Sequence, residues 1–203
     1  MTDAAQYPRS ALTGVILAGG RATRMGGQDK GLLPLAGEPM VAHAIQRLAP
    51  QVGSLLINAN RNIEQYQHYA TPVVRDDLAG FQGPLAGMLA AMDAARTAYI
   101  LTAPCDSPLL NAAYAARMFH ELQQQNAEIC VASDGERLQP VFALINVNLR
   151  DNLQAFLAAG ERKIDRWFAQ HRMATANFSD AASMFHNINT PEDLTTIEAM
   201  FNG

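Results

Sequence analysis

The sequence contains few of the groups from which metal and disulfide sites are built. Only two cysteines occur among the 203 residues, and the five histidines are scattered without a pair at the spacing of a zinc site. So few thiols in a chain of this size indicate a reduced, intracellular protein. The sequence therefore predicts neither a structural zinc ion nor a disulfide framework.

Charge and hydropathy argue against two further classes of partner. The net charge is only −4, so no strongly basic face is expected and a nucleic-acid partner is not predicted. No apolar run approaches the roughly eighteen residues that a transmembrane helix needs. The first eleven residues are polar and lack the apolar stretch of a signal peptide. We therefore expect a cytoplasmic protein with no membrane partner.

What the sequence does contain is an alternation of short apolar runs and helical patterns. Six apolar runs are typical of strands, at 13–18, 54–60, 72–75, 98–103, 127–132 and 138–147. Helical patterns occur at 40–48, at 62–68, from Pro84, around Tyr114 and twice after residue 148. This order predicts an α/β fold of one domain, 1–203, with a mainly parallel central sheet and helices on both faces. The Asp134-Gly135 turn predicts at least one antiparallel strand pair.

A glycine-rich loop directly follows the first predicted strand. The segment LAGGRATRMGGQDKG (17–31) contains five glycines, two arginines and one lysine. Glycines allow backbone amides to approach a phosphate closely, and cations offset its charge. The spacing matches neither a dinucleotide-binding fingerprint nor a P-loop. We favour phosphate binding over the alternative of an ordinary flexible basic loop.

Polar side chains follow the other predicted parallel strands. Asp106 lies just past the fourth strand, where a carboxylate could hold Mg²⁺ or merely cap a turn. Asn58 and Asp76 follow the second and third strands, as base- or ribose-binding groups or as loop caps. Ligands bind beyond the carboxyl ends of parallel strands. Polar side chains at the ends of several neighbouring strands therefore favour a nucleotide site.

Two further segments allow predictions of their own. NINTPEDL (187–194) contains a helix start at Thr190-Pro191, and it places Asn187 and Asn189 on a predicted strand that points into the same crevice. Cys105 is predicted to be a small buried side chain rather than a nucleophile, because no histidine lies close in sequence to activate it.

Together these segments resemble those of a known family, the molybdenum cofactor guanylyltransferases. That family lies within a nucleotidyltransferase superfamily with a Rossmann-like sheet. The resemblance spans about residues 13–197 and rests on LAGGRATRMGGQDKG, NANR, DDLAGFQGPLAGM, PCDSP and NINTPEDL. Sugar-phosphate and cytidylyl relatives share the loop, whereas GG-x-DKG together with NANR and GPLAGM is more particular to the guanylyl enzymes.

The resemblance implies site residues by position. The nucleotide-binding set comprises Leu17, Ala18, Gly19, Lys30, Asn58, Asp76 and Asp106. The first three would contact GTP through the backbone, Lys30 and Arg24 would face its phosphates, and Asn58 would contact the guanosine. The catalytic set comprises Arg24, Lys30 and Asp106, and Asp106 would also hold Mg²⁺. Asn189 stands where related enzymes often carry a metal-binding aspartate, and asparagine is the weaker ligand.

The resemblance also implies the reaction. GMP would pass from GTP to the terminal phosphate of a molybdopterin-type cofactor, with release of pyrophosphate and no covalent enzyme intermediate. Residues 13–110 would bind GTP, and residues 111–203 the pterin, with Arg137, Gln139, Arg162 and Lys163 as candidate contacts. Transient contact with molybdoenzymes would follow. A cytidylyl or sugar-phosphate nucleotidyltransferase, or a non-catalytic cofactor carrier, are the alternatives.

Overall fold

The structure is a computed structural model, and it describes residues 7–18, 29–69, 71–76, 83–188 and 191–201. These residues form a seven-stranded sheet with the order β5-β4-β1-β6-β8-β7-β9 and a separate two-stranded hairpin, β2-β3. The strands are β1 (Leu12–Leu17), β2 (Pro34–Leu35), β3 (Glu38–Pro39), β4 (Ser54–Asn58), β5 (Val73–Val74), β6 (Tyr99–Pro104), β7 (Ile129–Ser133), β8 (Leu138–Asn146) and β9 (Met173–Asn177).

The sheet is mainly parallel, as predicted. β1 pairs in parallel with both β4 and β6, β4 with β5, and β7 with β9. Only β8 runs in the opposite direction among the strands of the described sheet, and it pairs antiparallel with β6 and β7. The turn that contains Asp134 and Gly135 therefore joins an antiparallel pair, which confirms the prediction from this turn.

Helices cover both faces of the sheet. They are α1 (Met40–Leu48), α2 (Ile63–Gln67), α3 (Pro84–Ala94), α4 (Tyr114–Gln124), α5 (Arg150–Ala158), α6 (Ile164–Phe168) and α7 (Pro191–Phe201). Shorter 3₁₀ segments occur at Arg9–Ala11, Lys30–Leu32, Ala49–Gln51, Val147–Leu149 and Ser179–Phe185. α1 and α4 bury their apolar stripes in one core, and α3, α5 and α6 bury theirs in a second core on the opposite face. A sheet buried on both faces explains why its parallel strands are almost continuously apolar.

The structure adds two features to the predicted elements. β9 was not predicted, although it alternates exposed residues with the buried Ala174 and Ala176. Alanine is a weak strand signal, so the period-2 pattern is the one indication that the sequence offers. The β2-β3 hairpin lies in a stretch predicted to be a polar loop. Within the described residues, no helix is long and apolar enough to span a bilayer.

Candidate functional site

Four parallel strands end in register at one edge of the sheet. Leu17, the last residue of β1, is aligned with Asn58 of β4 and with Pro104 of β6, and Asn58 is aligned with Val74 of β5. The residues that follow these strands must therefore emerge side by side. This edge, which we call the carboxyl edge, is where an open parallel sheet binds ligands.

The backbone next to the β1 tip continues the sheet pairing. The amide of Ala18 donates to the carbonyl of Asn58 at 2.8 Å, and the carbonyl of Leu17 accepts from the amide of Cys105 at 3.1 Å. These two backbone groups are therefore paired within the sheet, and the contact of GTP with Leu17 and Ala18 stays a prediction. Gly19 and Arg24, with Arg21 and Asp77, lie outside the described residues.

Lys30 and Asp106 meet at this edge although 76 residues separate them. The Lys30 ammonium lies 3.1 Å from Oδ2 of Asp106, and the two side chains are 22% and 13% exposed. Lys30 opens the 3₁₀ turn after the glycine-rich loop, and Asp106 lies two residues beyond β6. A flexible ammonium and a carboxylate at a strand tip are thus placed together, suited to a phosphate and to a hard cation respectively.

Asp76 is held by two asparagine side chains. Asn58 Nδ2 donates to its Oδ1 at 2.7 Å, and Asn60 Nδ2 donates to its Oδ2 at 2.8 Å. Asn60 Oδ1 in turn accepts from the Asp76 backbone amide at 2.9 Å. Asn60 lies in the NANR segment but was not selected from the sequence. The carboxylate is therefore oriented from both sides, while each oxygen keeps further acceptor capacity for a ligand.

Asn58 itself is almost fully enclosed. Its side chain is 3% exposed, and Nδ2 also lies 3.4 Å from the carbonyl of Val74. Helix α3 passes so close that a Cβ on Gly87 would lie 2.3 Å from Oδ1 of Asn58. This arrangement indicates that Asn58 orients Asp76 more directly than it presents its own amide to a base.

Gly87→Ala is expected to destabilise the protein and weaken GTP binding. Helix propensity alone would favour alanine by about 1 kcal/mol, but overpacking at such a contact costs about 1–3 kcal/mol. Because hydrogen bonds to Asp76 and Val74 hold Asn58, the new methyl group must displace either Asn58 or α3. A melting curve and a GTP titration would measure both effects. An unchanged or raised Tm would show that α3 moves away without cost.

The segment before α7 also reaches Asp106. Ser107 Oγ donates to Asn187 Oδ1 at 2.8 Å, and the amide of Ile188 donates to the carbonyl of Asp106 at 3.3 Å. The prediction that Asn187 lies on a strand was wrong, because residues 186–188 follow a 3₁₀ turn and join no sheet. Asn187 nevertheless lies beside the site, while Asn189 and the proposed cap Thr190 fall outside the described residues.

Cys105 directly precedes Asp106 and is buried close to Gly31. Burial, reinforced by the negative charges of Asp106 and Asp29, raises the pKa of its thiol well above the ordinary value. A thiol that keeps its proton is a poor nucleophile. The prediction that Cys105 is a small buried side chain is confirmed.

The four residues that were predicted to contact the pterin fall into two groups. Arg137 and Gln139 lie at the β7-β8 hairpin, beside the carboxyl end of β7, and therefore on the carboxyl edge. There Asp134 accepts from the Arg137 amide at 2.9 Å and from Gln139 Nε2 at 2.7 Å. Hydrogen bonds from the Arg137 and Glu136 amides lower the pKa of Asp134 to about 2, so the hairpin is ordered around an ionised carboxylate.

Arg162 has a visible structural role, whereas Lys163 makes no capping hydrogen bond with its side chain. Arg162 Nη1 donates to the carbonyls of Leu157 and Glu161, at 2.7 and 2.6 Å, and so caps the end of α5. Lys163 is the residue that precedes the first turn of α6. Both residues lie between the end of α5 and the start of α6, and their contact with the pterin stays a prediction, like that of Arg137 and Gln139.

The fold and the polar carboxyl edge define a nucleotidyltransferase of the α/β class, and comparison with known proteins identifies the family. The model of the MobA-like NTP transferase domain matches residues 14–175, and the chain belongs to that family. A molybdenum cofactor guanylyltransferase of Shewanella sediminis is 53% identical over 178 residues, which cover 88% of this chain and 91% of that relative.

Two further matches agree. The molybdenum cofactor guanylyltransferase of Shewanella amazonensis is 53% identical over 180 residues, which cover 89% of this chain and 92% of that protein. The crystal structure of molybdopterin-guanine dinucleotide biosynthesis protein A from Archaeoglobus fulgidus superposes with a TM-score of 0.77 at 20% identity. That superposition covers 94% of this chain and 98% of the other, and it supports the fold.

Proposed function

We propose that the protein transfers GMP from GTP to the terminal phosphate of molybdopterin, forming the guanine dinucleotide cofactor and pyrophosphate. Guanylyltransferases that share about half of the sequence over most of its length support this assignment. The structural observation that supports it best is the Lys30–Asp106 pair at the carboxyl edge, beside the Asn58–Asp76–Asn60 cluster. One edge thus contains groups suited to the phosphates and groups suited to the nucleoside.

The proposed reaction requires no covalent bond between the protein and its substrates. An oxygen of the acceptor phosphate, already ionised at neutral pH, attacks the α-phosphorus of GTP, and the bond to the β-phosphate oxygen breaks as pyrophosphate leaves. Rate enhancement then comes from positioning and charge neutralisation. Lys30 would bind the phosphates together with Arg24 from the glycine-rich loop. The backbone of Leu17, Ala18 and Gly19 would contact the nucleotide, with Asn58 and Asp76 around the guanosine.

The donor set at Asp106 fits Mg²⁺. Within the described residues, no cluster of three or more His, Cys, Asp or Glu side chains could enclose a metal. Mg²⁺ commonly binds through one or two carboxylates plus substrate phosphates, so a lone Asp106 beside a phosphate site suits it. Mg²⁺ held there would polarise the phosphate oxygens when GTP is bound. Asp106 would serve as its protein ligand, and Lys30 would neutralise charge on the same phosphates.

The acceptor would lie against the C-terminal part of the chain. Arg137 and Gln139 project from the carboxyl edge near β6, so residues 111–203 can contribute to the site that residues 13–110 begin. We also propose that the enzyme works in the cytoplasm. Its product would pass to molybdoenzymes through transient contacts.

Turnover is expected with GTP and not with CTP or UTP. A site that hydrogen-bonds one base rejects others because its polar groups would be left unpaired, and the Asp76 cluster is such a set of groups. The test incubates the protein with molybdopterin, Mg²⁺ and each triphosphate in turn, and measures pyrophosphate and the dinucleotide product. Equal turnover of GTP and CTP would favour a cytidylyl enzyme. Binding of cofactor without pyrophosphate release would favour a carrier.

A further inference from the structure

A second buried carboxylate lies next to Lys30 and takes no part in the chemistry described above. Asp29 is 9% exposed and accepts three hydrogen bonds. Tyr66 Oη donates to its Oδ1 at 2.7 Å, Asn62 Nδ2 donates to its Oδ2 at 3.0 Å, and the amide of Gly31 donates to Oδ1 at 3.3 Å. An ionised carboxylate is an acceptor-only group, so three converging donors match it.

These bonds connect the end of the glycine-rich loop to helix α2. Asp29 caps the 3₁₀ turn Lys30–Leu32. Its position therefore determines where the backbone of Lys30 lies. Tyr66 lies within α2 and Asn62 directly before it, 37 and 33 residues away in the chain. Lys30 itself pairs with Asp106 and not with the neighbouring Asp29, so the two carboxylates have separate partners.

The packing around this carboxylate leaves little freedom. Tyr66 is fully buried, and a Cβ on Gly31 would lie 2.4 Å from its Oη and 3.2 Å from Sγ of Cys105. Burial, together with the nearby Cys105 and Asp29, raises the pKa of Tyr66, so its hydroxyl keeps the proton that it donates. Cys105 immediately precedes Asp106. The packed cluster around Tyr66 therefore includes the neighbours of both members of the pair, Asp29 and Gly31 beside Lys30 and Cys105 beside Asp106.

We infer that Asp29 and Tyr66 are positioning residues that hold Lys30 toward the phosphates of the bound nucleotide. The inference rests on the proposed function, because it assigns Lys30 to those phosphates. Tyr66 touches neither Lys30 nor the nucleotide phosphates in this scheme and acts through Asp29. Its removal should therefore weaken the part of nucleotide binding that depends on phosphate.

The test compares Tyr66→Phe with Tyr114→Phe in the full chain. Both tyrosines are fully buried, but Tyr114 Oη donates to the carbonyl of Thr102 within β6, at 2.8 Å, and not to Asp29. Dissociation constants are measured for GTP and for guanosine, with Mg²⁺ present. Tyr66→Phe should weaken GTP binding about tenfold, the size expected for one lost hydrogen bond to a charged group, and leave guanosine binding within about twofold. Tyr114→Phe should lower the Tm without this selective loss.

A double-mutant cycle with Lys30→Ala separates positioning from general destabilisation. If Tyr66 acts through Lys30, Tyr66→Phe should have little further effect on GTP binding once Lys30 is alanine. An equal tenfold loss in both backgrounds, or an equal loss for GTP and guanosine, would overturn the inference and leave the proposed function intact. Failure of the wild-type protein to bind GTP, or to release pyrophosphate from it, would overturn the proposed function and the inference with it.

Discussion

Asp106→Ala is expected to abolish GTP turnover while the protein remains folded. Asp106 lies at the tip of β6 and is partly exposed, so its truncation removes no core contact. It lies 3.1 Å from Lys30, which we propose binds the phosphates, and the loss of a metal ligand that also stabilises transferring charge costs several kcal/mol. We expect kcat to fall by roughly a thousandfold or more, which corresponds to about 4 kcal/mol. The variant would also remove the salt bridge between Asp106 and Lys30.

Steady-state rates in Mg²⁺ and a melting curve measure the two effects separately. Asp106→Asn keeps the shape and removes the charge, so it should also be inactive if the carboxylate holds a cation. Asp93→Ala is the matched control, since it breaks a pair with Arg150 (2.6 Å) at the end of α3 remote from the carboxyl edge. Near-normal turnover of Asp106→Ala in Mg²⁺ would show that the metal role is wrong.

Lys30→Ala should reduce kcat/KM for GTP by roughly thirtyfold to a thousandfold, the equivalent of about 2–4 kcal/mol. The reason is that one preorganised positive charge would be removed from the phosphates in the transition state. The structural cost is smaller, because a partly exposed ion pair contributes about 1 kcal/mol or less. In a protein of this size such a change lowers the Tm by about 2–4 °C.

The measurement is kcat/KM for GTP beside a melting curve. Lys30→Arg retains the positive charge and should recover part of the lost activity, although its planar group replaces a compact point charge. Arg150→Ala, which breaks ion pairs with Asp93 and Asp151 far from the site, serves as the control for ion-pair loss. A loss below about threefold in Lys30→Ala, with an unchanged Tm, would identify Lys30 as a surface charge only.

The fold was predictable because its signals are local. The continuous apolar run of β1 and the stripe of α1 each indicate their element within about ten residues of sequence. β9 was missed because its inward residues, Ala174 and Ala176, carry little hydrophobic contrast. Asn187 was predicted to lie on a strand, but residues 186–188 join no sheet, because strand formation depends on tertiary context that the local sequence does not reveal.

The candidate site was predictable in part, for a related reason. Parallel strands bring their carboxyl ends to one edge, so Lys30, Asn58, Asp76 and Asp106 could be grouped once the strands were recognised. The order β5-β4-β1-β6 determines which of them meet, and long-range pairing of that kind leaves no trace in local composition. The roles of Gly19 and Arg24 stay predictions, as they lie outside the described residues.

The sequence by itself therefore determined the α/β class, the polar strand tips and the family they resemble, and it predicted that the glycine-rich loop binds phosphate. These depend on residue type, spacing and periodicity, which are properties of short segments. Only the tertiary structure decided that Lys30 pairs with Asp106, that two asparagines orient Asp76 and that Asp29 is bound by Tyr66. Side-chain partners distant in sequence are selected by the packing of helices and strands, since hydrogen bonds act over about 3 Å and buried polar groups must be paired.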